Sequence, residues 1–546
     1  MKKYIGLSIM ALSLGLTSCN DFLDTTPDNR ATIDSEDKVE KLLVSAYPEN
    51  AISIVTELMS DNVDDYGENN PNTNRFFDQV YHWEDVTEDD NESPNSFWES
   101  SYNAIINANL ALEAAEGLPD SRNAQAARAE ALLARAYNHF LLVNVFCNNY
   151  NATTSSTDLG VPYLDAVEDK LDAHHERGTV AEVYEKIDKD LQEALPMVGS
   201  DYMTVPKYHF NPKAAYAFAC RFYLFYEKWD EVIKYANLCL GEEAASQLRD
   251  WQYMSTLTSD PDVYGNHYID ASLSCNLLLM TAYSNMGLVF GPYYFGKRYA
   301  HGTYLAYNET VLATNIFGSE ADNYYTRPKE YSATNLDCVI FWKLPYLFEY
   351  TDPVAQIGYR RTVYPALTTD EVLLNRAEAY VMKGEYAKAA KDLTIWKNNM
   401  VKNTDELTVD GIVDFYNNVP YAYEKVAVND ENKPVLDSEG NKTYVYDALV
   451  SGIKKHLHPA FAIEEEGSTQ EAMLQCVLGF RRIETLQTGL RWFDIKRYGI
   501  EIVRRVIGAD GNPAKAVDVL KANDPRRAVQ IPARVRDAGI EGNPRN

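Results

Sequence analysis

Cysteine is scarce: there are seven in 546 residues, and none stands in CxxC or any other zinc-like spacing. A disulfide-stapled scaffold and a zinc ribbon are therefore excluded. Bases are also in short supply, 51 Lys plus Arg against 80 Asp plus Glu, for a formal charge of −29. Such a chain is repelled by DNA, RNA and anionic headgroups, so nucleic acid drops out as a partner. Gly at 27 and Pro at 22 are too few for a collagen-like or low-complexity chain. Beyond the first 16 residues no unbroken apolar run reaches bilayer length. HExxH and GxSxG are both missing, so the zinc-protease and nucleophile-elbow signatures have no support.

Tyrosine, by contrast, is plentiful: 39 against 19 Phe, in a chain that is 46% hydrophobic. An apolar core has little use for that many hydroxyls, whereas a wet binding surface does. The first residues read as an address. Lys2 and Lys3 precede an apolar stretch from Tyr4 to Leu16, the pattern of a secretory signal over residues 1–18. Leu16-Thr17-Ser18-Cys19 matches a bacterial lipobox, so Cys19 is expected to be acylated (palmitate included) and to become the first mature residue. Residues 19–33 would form an extended tether, leaving acyl chains as the only membrane attachment. The remaining six cysteines are expected to be mostly small buried hydrophobes, with one disulfide left open.

Helix starts are marked by capping boxes at Ser96/Glu99, Thr179/Glu182, Thr368/Glu371 and Ser468/Glu471, and by Asn211-Pro212. From Ala129 to Cys147 apolar residues keep i, i+3, i+4, i+7 spacing, predicting a long buried helix. Ala377, Tyr380, Gly384, Tyr386 and Ala389 carry tetratricopeptide-like hairpin spacing, and Cys220, Tyr223 and Trp229 repeat it loosely. The fold expected is mostly α, a helical-hairpin (tetratricopeptide-like) scaffold in a single large globular unit over 34–546. Long loop and short β insertions are placed around 59–95, 247–365 and 420–450, with a β-hairpin turning near Asp437 to Asn441. Charge is uneven: Asn20–Ser100 carries −17 and Gln475–Asn546 carries +6. The two are expected to meet within the fold.

Six segments in order then carry a family resemblance. They are SCNDFLDTTPDN (Ser18–Asn29); Phe97-Trp98 with Tyr102, Ile105 and Asn109; RAEALLARAYNHFLLVNVF (Arg128–Phe146); LLNRAEAYVMKGEYAKA (Leu373–Ala389); RRIETLQTGLRWFDIKRYG (Arg481–Gly499); and Gln530-Ile531-Pro532 with Asn543-Pro544. Together they resemble the SusD/RagB family of Bacteroidota surface lipoproteins. Cys147-Asn148 departs from the glycine-containing turn usual there. The resemblance implies a non-enzymatic, lipid-anchored protein at the outer-membrane surface. It would bind an oligosaccharide or polysaccharide nutrient and act as the lid of a SusC-like TonB-dependent transporter. Ligand would favour closure only by binding the closed state better than the open one. Alternatives are a peptide-binding lid of the same type and, less favoured, a lipid-anchored glycoside hydrolase.

Competing chemistry is weak. GPYYFGKR (Gly291–Arg298) approaches a phosphate loop, but Arg298 replaces the metal-binding hydroxyl and bulky rings stand where backbone must wrap phosphate. His174-His175 and His456/His458 lack metal-site spacing. Sugar capture needs flat aromatic faces with amides, carboxylates and guanidiniums beside them. One region offering both contains Asp64, Asp65, Tyr66, Arg75, Tyr81 and Trp83. The other holds Tyr293, Tyr294, Tyr299, Tyr304 and Tyr307. Asp65, Tyr66, Arg75, Tyr81, Trp83, Tyr293, Tyr294 and Tyr299 are the ligand-binding candidates, while Trp98 and Tyr102 on a capped helix are read as structural. No cofactor is expected. Asp64, Asp65, Asp89 and Asp90 suit a structural calcium ion by ligand type, but lack EF-hand spacing, and solvated surface is preferred.

Overall fold

The computed structural model describes residues 33–167, 175–318, 321–438, 440 and 442–545. The signal segment, Cys19, nearly all of the tether and His174 lie outside these. Helices start where a side chain can satisfy the first free N–H groups. In chain order come α1 (Glu36–Leu43), α2 (Ser53–Met59), the two-residue strand β1 (Asp64–Asp65), α3 (Arg75–Tyr81) and α4 (Pro94–Glu116). Then follow α5 (Arg122–Phe146), α6 (Val180–Ala194), α7 (Pro212–Phe225) and α8 (Trp229–Leu240). Thr179 forms a full capping box with Glu182, and Asn211 caps α7 through Ala214 N. The Ser96 start is corrected: Ser93 is the cap and Pro94 the first helical residue, so α4 opens one turn earlier. The predicted long helix is α5, 25 residues buried on nearly every side between α4 and α6.

The insertion after α8 holds α9 (Trp251–Met254), α10 (Pro261–Tyr268), β2 (Asn276–Tyr283), α11 (Met286–Val289), β3 (Tyr299–Ala300) and α12 (Thr303–Glu309). It continues with β4 (Lys329–Ala333), β5 (Leu336–Ile340), β6 (Leu347–Asp352) and β7 (Ile357–Thr368). Its strands are longer than the expected short ones, because β2, β7 and β6 form an antiparallel sheet in which β7 runs 12 residues. Strand β7 leads straight into α13 (Thr369–Met382), capped by Thr368. Beyond it lie α14 (Tyr386–Met400), α15 (Val409–Asn418), β8 (Glu424–Val426), β9 (Tyr444–Tyr446), α16 (Thr469–Glu484), α17 (Arg491–Arg497), β10 (Ile502–Ile507), β11 (Pro513–Leu520) and α18 (Ala533–Asp537). The tetratricopeptide-like spacings fall on α13/α14 and α7/α8, and α13 packs on α7, α8, α14 and α16. Gly384 makes the tight α13–α14 turn at φ +71°. The 423–446 hairpin is present as β8 paired with β9.

The acidic N-terminal stretch and the basic C-terminal stretch do meet, and they meet in the interior. Asp61 accepts from Arg491 at 2.9 Å through both oxygens, and Asp64 faces Arg505 at 3.1 Å. Glu309 joins them through Lys455 at 2.8 Å and Arg482 at 3.2 Å. Burial alone would raise the Asp61 carboxyl, but Arg482 and Arg491 hold it far below the usual range. Removing one member of such a network strands a buried charge. These pairs fix β1 between β10, to which it runs parallel, and β3 in a sheet ordered β11-β10-β1-β3.

Candidate functional site

The two regions singled out in the sequence are brought together. Strand β1 pairs with β3, setting Asp65 opposite Tyr299, and Tyr66 N donates to Arg298 O at 2.8 Å. Arg298 grips Asp65 with Nε at 2.8 Å and Nη2 at 3.0 Å. Gly302 lets the Tyr66 hydroxyl approach its backbone; a Cβ there would lie 1.5 Å from that oxygen. The Tyr66 ring packs half-buried on a small cluster around Ala300 and Cys338 that also carries Tyr331 and Trp342.

Several candidates turn inward. Tyr81 is fully buried and stacks on buried Tyr299 at 4.2 Å, whose hydroxyl donates to Asp78 at 2.7 Å. Trp83 is 4% exposed, with Nε1 donating to Met59 O at 2.9 Å and its ring under the Arg504 guanidinium at 4.1 Å. It ends α3 at φ +55°, a left-handed position usually given to glycine, so packing holds a strained residue in place. Tyr81, Trp83, Asp65 and Tyr299, expected to face a ligand, are thus buried here, their faces taken up by aromatic packing and ion pairing. An edge of Trp83 does line a cavity of about 280 Å³ beside Val55, Val529 and Ile531. Arg75 is exposed on α3, 3.5 Å from Glu88. The calcium candidates are likewise engaged: Asp64 by Arg505, Asp65 by Arg298, Asp89 by Arg534, and Asp90 through the Glu92 N–H. Lys297 of GPYYFGKR is buried with its ammonium on the Val289 carbonyl, facing no phosphate position.

Open rings remain on the outer side of the same region. Tyr293 is half-buried and lies 6.0 Å from exposed Tyr346, and neighbouring Tyr294 is exposed. Trp342, also half-buried, donates Nε1 to the Tyr331 hydroxyl at 3.0 Å and meets Tyr264 edge-on at 5.4 Å. Lys329 Nζ lies 4.6 Å from the Trp342 ring centre. Burial raises the Tyr293 hydroxyl pKa, and the nearby Asp262, Tyr346 and Asp260 add to it. Tyr293, Tyr331, Trp342 and Tyr346 thus lie near one another as partly exposed rings, with Asp260, Asp262 and Lys329 beside them. Tyr304 and Tyr307 lie elsewhere, bonded to Leu449 O and to Glu330.

Tyr331, Trp342 and Tyr346 were missed from sequence. A signal for the first two existed: Thr334-Asn335 is a two-residue turn with Asn335 at φ +58°, closing the β4–β5 hairpin. Tyr346 had none, because its place depends on Pro345 threading past Gly287, where a Cβ would lie 2.5 Å from the Pro345 carbonyl.

Comparison with known proteins agrees with this architecture. Residues 21–224 match the SusD-like family described as "Starch-binding associating with outer membrane". Over those residues the chain is similar to that family. The fold is shared with solved structures despite low identity. A protein from Bacteroides vulgatus ATCC 8482 named for sugar binding is 19% identical, with 94% of this chain and 99% of that one covered at a TM-score of 0.61. A SusD superfamily protein from Bacteroides thetaiotaomicron VPI-5482 is 17% identical, covering 94% and 100% at 0.58. Another from B. vulgatus ATCC 8482 is 17% identical, covering 94% and 99% at 0.60. No curated protein matches the sequence. Among the described residues, no helix is long and apolar enough to cross a membrane.

Proposed function

We propose that the protein binds an oligosaccharide or polysaccharide nutrient across the Tyr293, Tyr331, Trp342 and Tyr346 face, without chemically altering it. The observation that carries this reading is the pairing of partly exposed aromatic rings with Asp260, Asp262 and Lys329 beside them. Rings supply flat apolar area for sugar C–H groups, and the charged rim supplies acceptors and donors for hydroxyls. A family description that names starch supports the ligand class. The formal charge of −29 favours neutral polymers over polyanionic ones. We further propose that Cys19 is acylated, tethering the protein to the outer membrane at the cell surface. There it would close over a SusC-like TonB-dependent transporter, ligand shifting the lid toward closure.

The test is titration of purified protein with neutral polysaccharides, starch first, followed by calorimetry. Saturable binding with no new reducing ends after long incubation is the expected result. Release of reducing ends, or binding that survives loss of Trp342 and Tyr346 together, would overturn it.

A further inference from the structure

Between the turn after α5, the stretch 458–460 and the segment 522–528 lies a cavity of about 590 Å³, away from the aromatic face. Amides and hydroxyls build its wall, among them Asn148, Asn151, Thr154, Thr157 and Asn523, and among the described residues no Tyr, Trp or Phe lines it. Two acids in the wall are already engaged. Asp158 accepts from Asn148 at 3.1 Å and Thr154 at 2.6 Å, and Asp524 accepts from Arg526 Nη2 at 2.8 Å. The two cations in the wall are not so matched. Lys496 is 4% exposed and donates only to the carbonyls of Asn144 at 2.6 Å and Cys147 at 2.7 Å. Arg527, 6% exposed, donates to the carbonyls of Lys521 at 2.7 Å and Ile495 at 2.9 Å, and to that of Ile500. Arg177, buried close by, reaches among the described residues the carbonyls of Gly160, Leu159 and Glu541 and the Cys147 sulfur.

Among the described residues none of these three cations meets a carboxylate; buried Arg504 and Lys343 are likewise held by carbonyls alone, whereas buried Arg135, Arg221, Arg376 and Arg481 each meet one. Carbonyl dipoles offset only part of the cost of burying a full charge. Burial pulls the Lys496 ammonium down to about 7, the measure of a cation short of a counter-charge. The volume falls within the range of small-molecule sites.

We propose that this cavity is a second binding site, for a small hydroxylated oxyanion of monosaccharide size, a sugar acid. Its carboxylate would lie against Lys496 and Arg527, and its hydroxyls on the Asn and Thr side chains. This site is independent of the aromatic face, since it uses neither rings nor residues of the 247–365 insertion. It also departs from the preference set by overall charge, because Lys496 and Arg527 balance Asp158 and Asp524 in its wall although the chain as a whole is acidic.

Calorimetry of the whole protein with glucuronate, glucose and inorganic phosphate tests the assignment. Glucuronate should bind saturably, at least about tenfold tighter than glucose or phosphate. Ala460→Trp fills the cavity without removing a hydrogen-bonding side chain, and Lys496→Gln removes the charge. Each should weaken glucuronate at least about tenfold while leaving polysaccharide binding at the aromatic face unchanged. If Lys496→Gln does not fold, Ala460→Trp alone decides. Equal affinity for glucose, tighter binding of phosphate, no glucuronate binding up to about 10 mM, or binding indifferent to Ala460→Trp would each overturn the proposal.

Discussion

Arg298 and Asp65, 233 residues apart in sequence, face each other through two parallel N–H to oxygen bonds of 2.8 and 3.0 Å. That clamp joins β1 to the residue before β3 and sets Tyr66 and Tyr293 in one region. Asp65→Ala leaves a guanidinium 15% exposed with only the more distant Asp78, 3.8 Å away, as a counter-charge. The variant should lose about 3 kcal/mol of stability and bind polysaccharide more weakly, read by urea unfolding and calorimetry. An unchanged unfolding midpoint would show that the clamp follows from the fold and does not secure it.

Two tryptophans should behave in opposite ways. Trp83→Ala empties a packed position between Met59 O and the Arg504 guanidinium, so a loss of about 3 to 5 kcal/mol in stability is expected. Polysaccharide affinity of the folded fraction should stay level. Trp342→Ala removes a half-buried ring whose hydrogen bond goes to another side-chain hydroxyl, so stability should fall little. Binding should weaken by about 2 kcal/mol. The reverse pattern would move the site back toward the cavity beside Trp83.

The sequence made the helical frame legible because capping and periodicity are local. Thr179, Thr368 and Ser468 cap the helices they were expected to cap, and α5 follows its apolar stripe. Ser96 misled because Ser93-Pro94 offered an equally local start one turn earlier. The binding surface was half legible. Tyr293 lies on the proposed face and exposed Tyr294 is its chain neighbour, but composition alone could not show that Tyr81 and Trp83 lie beneath Arg504, 421 residues or more away in sequence. Which ring faces water is decided by such long-range pairs, and no spacing rule encodes them.

The cysteines give a further check. Cys147, Cys220, Cys239, Cys275, Cys338 and Cys476 are all free and buried, and burial raises the thiol pKa of each. Thiolate is the reactive form, so a thiol reagent should label almost none in the native protein and these six after denaturation. A reducing agent should leave the thermal midpoint where it was. A drop on reduction would reveal a disulfide.

Glu92 should make stability fall as pH rises. It is buried under the 284–285 turn, accepting from Ser284 Oγ at 2.9 Å and from Asn285 Nδ2 at 3.0 Å, and burial pushes its carboxyl up to about 7 from an ordinary 4.5. Below about pH 4.5 it is protonated in both folded and unfolded chains and costs nothing. Between 4.5 and 7 only the unfolded chain ionises, which favours unfolding. The loss should total roughly 3 kcal/mol and level off above pH 7. Glu92→Gln stays neutral, so its stability measured against the wild type should improve across that window. Asp370, also raised to about 7 by burial and Glu484, declines in both proteins and cancels in the difference. Parallel urea-unfolding profiles from pH 4.5 to 8 would mean that Glu92 is already ionised in the folded protein, held by its Ser284 and Asn285 donors.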